Sequence, residues 1–364
     1  MRLRRRTLAG LAGVAAFHRP ALAQAPGLRD LARIRGMTFG TAVRSEIMER
    51  DPALVALTAR EAAIVVGEWE GKWDVLQPER GRFDFEPLRA VIRHAQAANQ
   101  RIRGHTLLWH VAMPPWLAPA LAEGPAQARA VLETHITTVL AETRAAIRDW
   151  DVVNEVIAVP PGSDNPDPTD GDLRPTPWLQ ALGPGYIETA LRIARQADPT
   201  LRLTLNEFDL YADTRGANTK RQRLLRVVRG LLDRNCPLDA IGIQGHLQMR
   251  DPFRPEIFTA FVRSLHELGL AVLITEMDVR EPDQLAPTLE ARDAAVAEYA
   301  TRFLQAAIDG GARTFLTWGL TDRDSWLVTD PGVARRDGQT HRGHPYDAEL
   351  RPKALRAALA RLFS

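Results

Sequence analysis

A single (β/α)8 barrel of the TIM type, with its active site at the C-terminal ends of the strands, is the fold that the sequence predicts for residues 24–364. Three observations predict it. Eight short apolar runs alternate with amphipathic helical stretches, the pattern of parallel strands joined by crossover helices. No glycine-rich phosphate loop follows the first run, which argues against an open, doubly wound sheet. Polar residues also gather where six of the runs end, the face on which such barrels carry their chemistry.

The strands follow from the apolar runs. They are MTFGTAV (37–43), AAIVVGEW (62–69), RIRGHTLLW (101–109) and DWDVVNEV (149–156). LRLTLNEF (201–208), AIGIQGHL (240–247), AVLITEMDV (271–279) and RTFLTWGL (313–320) complete the eight. Between them, apolar residues recur at helical spacing over 87–99, 128–147, 186–197, 219–234, 255–268 and 291–309, and again over 352–363. No linker or low-complexity segment divides the chain. The longest irregular stretch, 159–177, follows the fourth strand, and loops of that length within one domain are usually functional.

The first 23 residues stand apart. An arginine cluster, an apolar run from Leu8 to Phe17 and the small-residue site Ala21-Leu22-Ala23 form the pattern of a cleavable export signal. Arg5-Arg6-Thr7-Leu8 resembles the twin-arginine type, so a secreted or periplasmic protein is expected. A basic disordered tail would explain the arginines but not the cleavage site. Removing this leader takes away five of 47 basic residues and none of the 45 acidic ones, so the formal charge falls from +2 to −3. The remaining chain has no basic excess for nucleic acid, and no run approaches the roughly 20 apolar residues of a membrane span. Cys236 is the lone cysteine, so no intramolecular disulfide forms, and it reads as a small buried residue.

The polar strand ends are more informative. Strand three ends in His105, Trp109 and His110, strand four in Asn154 and Glu155, and strand five in Asn206 and Glu207. Strand six ends in Gln244 and His246, strand seven in Glu276 and Asp278, and strand eight in Trp318. Each alone has an ordinary structural explanation. Six strands carrying such residues at matching positions point to one site. His105, His110 and Glu155 raise the possibility of a metal, but no recurring zinc-type spacing supports it.

Two carboxylates dominate. Glu155 and Glu276 each emerge from a buried apolar strand, and strands four and seven are expected to face across the cavity. Glycosidic-bond hydrolysis needs such a pair. About 5–5.5 Å between them gives retention, and about 6.5–9.5 Å gives inversion. Glu276 is expected to stay ionised as nucleophile beside His246, with Asp278 buffering that imidazole. Glu155 is expected to be the acid/base, raised by burial and by the charge of Glu276. Trp109, Trp318 and Trp326 are candidates to stack on sugar rings.

These residues resemble glycoside hydrolase family 10, the endo-β-1,4-xylanases. RGHTLLWH (103–110), WDVVNE (150–155), ITEMD (274–278) and WGLTDRDSW (318–326) look like its four hallmark segments in order, and the resemblance spans roughly residues 36–362. It implies a retaining endo-xylanase without metal or organic cofactor, acting as a monomer on a β-1,4-linked polysaccharide or oligosaccharide. It also implies sugar-binding roles for Glu68, Lys72, His105, Trp109, Asn154, Gln244, His246, Trp318 and Trp326, with Asp278 and Asn206 in support. Two positions depart from the family pattern. Trp69 replaces an asparagine in GEWEGKW (67–73), and Ala112 replaces a glutamine in WHVAMPPW (109–116). They keep open an alternative, a retaining β-glycosidase on another β-linked glucan or short oligosaccharide. A carbohydrate-binding protein without catalysis would have dropped one carboxylate, and a phosphate-binding barrel would carry a glycine-rich loop after strand seven or eight.

Overall fold

The computed structural model describes residues 25–364, and the export signal expected over 1–23 lies outside the described residues. Eight parallel strands form its centre: β1 (Thr38–Val43), β2 (Ile64–Gly67), β3 (Arg101–Leu108) and β4 (Ile147–Asn154), then β5 (Arg202–Glu207), β6 (Ala240–Ile243), β7 (Ala271–Arg280) and β8 (Thr314–Thr317). Each pairs with the next, and β8 pairs with β1 through Thr38↔Thr314 to Thr41↔Thr317, which closes the barrel. The expected fold class is the one observed. All eight apolar runs are strands.

One run is broken. After Ile243 the chain leaves the sheet for two residues, and His246–Gln248 then re-pairs with the end of β7, His246 opposite Asp278. This detour brings the imidazole to the nucleophile strand. β4 and β7 stand three positions apart around the ring of eight strands, with β5 and β6 between them on the shorter side.

The outer helices include Glu86–Ala97, Pro125–Thr143, Tyr186–Ala197, Arg215–Asp233, Pro255–Glu267, Leu289–Gly310 and Ala354–Leu362, one for each expected stretch. Two helices between β1 and β2, Ser45–Arg50 and Pro52–Glu61, were not anticipated. Asp51 caps the second by accepting from the N–H groups of Ala53 and Leu54, both at 3.0 Å, with Pro52 at the first helical position. Cys236 is buried, as expected.

The tryptophans divide by role. Trp73, Trp150 and Trp178 are fully buried in the core, where complete burial of a large apolar side chain stabilises by about 1.5–3 kcal/mol. Trp73 stacks on the His135 ring at 3.6 Å between centroids. The abundance of tryptophan therefore partly reflects packing.

Candidate active site

Glu155 directly follows β4 with φ of +55°, a left-handed conformation rare for a residue with a side chain. Such strain persists where the surroundings impose it. Here the Glu155 N–H donates to the Asn206 carbonyl at 2.9 Å, and the next segment is zipped to the 159–177 loop. Arg174 N–H donates to the Val156 carbonyl, and Ala158 N–H to the Asp172 carbonyl, each at 2.9 Å. Glu207 is fully buried, paired with Lys220 at 2.8 Å, and accepts from the Ile157 N–H at 2.9 Å. These contacts hold the end of β4 so that the Glu155 side chain, 15% exposed, meets the cleft. There Gln244 Nε2 donates to Glu155 Oε1 at 3.0 Å, and Arg174 Nη1 lies 3.9 Å from Oε2.

Glu276 sits within β7 and is buried. Asn206 Nδ2 donates to its Oε1 at 2.6 Å, and His246 Nε2 lies 3.2 Å from its Oε2. The Asn206 amide is oriented by Thr275, whose hydroxyl donates to its Oδ1 at 2.7 Å. Its Nδ2 also donates to Asn154 Oδ1 at 2.9 Å, so the Asn154 amide nitrogen is left to donate elsewhere. Gly242 makes room for this network, because a Cβ there would stand 2.2 Å from Asn206 Oδ1. Burial pushes the Glu276 carboxyl up, but the His105 charge, the His246 hydrogen bond and charge, and the Asn206 hydrogen bond outweigh it and hold the group down at about 2.

His246 is the counterpart. Its Nδ1 lies 3.0 Å from Asp278 Oδ1, and Asp278 is itself fully buried and accepts from Trp326 Nε1 at 2.5 Å. Burial disfavours the imidazolium, yet Asp278 and Glu276 together raise it to about 10. The protonated ring therefore donates to both carboxylates.

His105 Nδ1 donates to Asp151 Oδ2 at 2.9 Å and stands 3.9 Å from Glu276 Oε1. Asp151 is fully buried and forms a bidentate pair with Arg103. Trp318 lies edge-on to His105 and His246, at 5.4 and 6.2 Å, and Trp326 edge-on to His246 at 5.0 Å. The Lys72 ammonium is enclosed by Trp69, Trp109 and Trp318, at 3.9, 4.9 and 6.0 Å from their ring centroids. Burial lowers its pKa, against the pull of Glu276 and Glu68. Gly71 allows this turn, since a Cβ would lie 2.3 Å from the His105 carbonyl oxygen.

Two expected members stand apart from the carboxylate pair. Glu68 commits both oxygens to Arg44, at 2.7 and 2.8 Å. His110 turns to Arg174, whose Nη1 donates to its Nε2 at 2.9 Å, and burial with the Arg174 charge lowers its pKa to about 4. Ala112 is buried and presents no polar atom. Among the described residues, no group of three or more His, Cys, Asp or Glu side chains is arranged to hold a metal ion. Sequence reasoning missed Asp151, Arg103 and Arg174. Asp151 carried a usable signal, a charge inside the apolar run of β4, whereas Arg174 lies in an irregular loop with none.

Comparison with known proteins gives a consistent result. The model of glycosyl hydrolase family 10 matches residues 27–362. Endo-1,4-beta-xylanase B of Thermotoga neapolitana is 32% identical over 304 residues, covering 83% of this chain and 81% of that protein. Endo-1,4-beta-xylanase of Agaricus bisporus is 31% identical, covering 86% and 87%. Among solved structures, xylanase 10B from Thermotoga petrophila RKU-1 in complex with xylobiose superposes with a TM-score of 0.82 at 28% identity, covering 93% and 98%.

Proposed function

The chain belongs to glycosyl hydrolase family 10, and from that membership we propose that it is a retaining endo-β-1,4-xylanase, with Glu276 as nucleophile and Glu155 as acid/base. The observation that carries the reading is the environment of Glu276. A buried carboxylate held ionised by an imidazolium and an amide is a nucleophile ready at neutral pH. Glu155 sits nearby in a different setting, partly exposed and hydrogen-bonded by Gln244.

The chemistry follows from this asymmetry. Glu276 attacks the anomeric carbon as the bond to the leaving-group oxygen breaks, and Glu155 gives that oxygen a proton. A covalent glycosyl-enzyme results. Glu155, now a carboxylate, takes a proton from water, the water oxygen attacks the anomeric carbon, and Glu276 departs with overall retention. Asn154, free to donate through its amide nitrogen, grips a hydroxyl of the reacting sugar, with Lys72 and His105 beside it. Trp109, Trp318 and Trp326 wall the cleft. The substrate is a β-1,4-linked xylan chain or oligosaccharide, and the enzyme acts as a monomer.

The N-terminal pattern supports export, so the mature enzyme acts outside the cytoplasm, on polymer too large to enter it. Arg5→Lys with Arg6→Lys should retain the protein in the cytoplasm, and undiminished export of that double variant would remove the twin-arginine assignment.

Hydrolysis of aryl β-xylobioside beside aryl β-cellobioside tests the function. The wild type should cleave the xylobioside preferentially and Glu276→Ala neither. Preference for the cellobioside would contradict the xylanase reading while leaving the mechanism standing.

A further inference from the structure

Trp69 is the most exposed tryptophan of the described residues, 47% accessible, at the edge of a cleft whose other rings are largely covered. A half-exposed indole has no folding rationale of its own. Yet it is not loosely held. The backbone N–H of Trp69 donates to Glu70 Oε2 at 3.1 Å, its backbone carbonyl accepts from the Lys72 N–H at 3.0 Å, and the turn behind it presses Gly71 against β3. The Lys72 ammonium covers one face of the ring at 3.9 Å, and no other aromatic ring among the described residues packs on it. One rigid face is left open.

The position of that face is defined by its neighbours. Lys72 connects Trp69 to Trp109 and Trp318, and Trp318 lies against His105 and His246, the two rings beside Glu276. Glu155 is flanked instead by Gln244 and Arg174. The leaving group departs on the side of the proton donor, so Trp69 lies on the glycone side. The Lys72 ammonium lies behind the ring, and the two carboxylates next to it are engaged. Glu68 gives both oxygens to Arg44, and Glu70 accepts from the Ser45 and Trp69 N–H groups.

We infer that Trp69 is the platform for the second sugar on the non-reducing side of the cleaved bond, holding that ring by its C–H face rather than by its hydroxyl groups. The identity of the sugar as xylose rests on the function proposed above. The cation behind the ring fixes its plane, and a sugar face on the other side completes a sandwich. Selection there is by shape, because a site that reads hydroxyls needs free donors and acceptors.

The test compares aryl β-xyloside, aryl β-xylobioside and the xylobioside lacking the 2-hydroxyl of its outer ring. Trp69→Ala should lower kcat/KM on the xylobioside roughly tenfold, leave the xyloside unchanged, and be largely rescued by Trp69→Phe. In the wild type, removing the outer hydroxyl should cost less than about tenfold, where a hydroxyl-reading site loses about 10⁴–10⁵-fold. Equal loss on xyloside and xylobioside would overturn the inference, since Trp69 would then act only by placing Lys72. So would a loss near 10⁴-fold on deoxygenation. Should the wild type cleave neither glycoside, the function fails and the platform is judged by xylobiose titration. Roughly tenfold weaker binding by Trp69→Ala sustains it, and equal or undetectable binding by both proteins overturns it.

Discussion

His246 and Glu276 form a charge-assisted hydrogen bond of 3.2 Å in which each partner fixes the protonation of the other. The imidazole is held protonated to about pH 10 and the carboxyl ionised down to about 2. The pair sets the working form of the site, and it also ties stability to pH. The folded-state pKa of Glu276 is depressed, so its contribution is present above the unfolded value and lost as pH falls toward 2. That of His246 is raised, so its contribution is present below about 6.5 and lost as pH rises through about 10.

Replacing His246 with asparagine should therefore raise the pKa of Glu276. The acid limb of the kcat/KM profile moves to higher pH, and the loss of Tm between about pH 6.5 and 10 becomes shallower than in the wild type. Rate profiles and thermal melts across pH read both effects. An unmoved acid limb would show that His246 does not set the state of the nucleophile.

Glu155→Ala should separate substrates by leaving group. Hydrolysis of unactivated xylooligosaccharides should fall by about 10²–10⁴-fold, the usual worth of general acid catalysis, while activated aryl glycosides should lose much less at the bond-breaking step. Burst kinetics on the aryl substrate isolates that step. Equal losses would remove Glu155 from the acid role.

Asp151→Ala should be costly for folding. It leaves the buried Arg103 guanidinium with only Asp149, at 3.8 Å, and releases His105, and breaking a buried ion pair destabilises by about 3–5 kcal/mol. Urea unfolding measures it. Exchanging both partners, Asp151→Leu with Arg103→Met, should recover much of the stability without recovering activity, because His105 would still lack its acceptor.

Much of the fold was legible because parallel barrel strands are buried on both faces and read as apolar runs. All eight strands and the site at their C-terminal ends follow from that. The two helices before β2 escaped notice because Pro52–Glu61 presents a weak apolar stripe, although Asp51-Pro52 is a recognisable start signal. Glu155, Glu276, His246, Asp278 and Asn206 stood out as polar groups ending apolar strands, and the structure brings them into one network. Glu68 shows where the pattern stops. Its pairing with Arg44 depends on a contact 24 residues away that no local spacing reveals. Arg174 reaches Glu155 only because the 159–177 loop folds back on β4.

The central claim is that Glu276 forms a covalent bond with the sugar. Incubation with an activated 2-deoxy-2-fluoro β-xylobioside, which forms the glycosyl-enzyme and turns it over slowly, tests it most directly. Intact-protein mass spectrometry should find one added fluoroxylobiosyl group, and peptide mapping should place it on Glu276, with none on Glu276→Ala. A label on another residue, or an active enzyme that takes up no label and releases product of inverted configuration, would contradict the account.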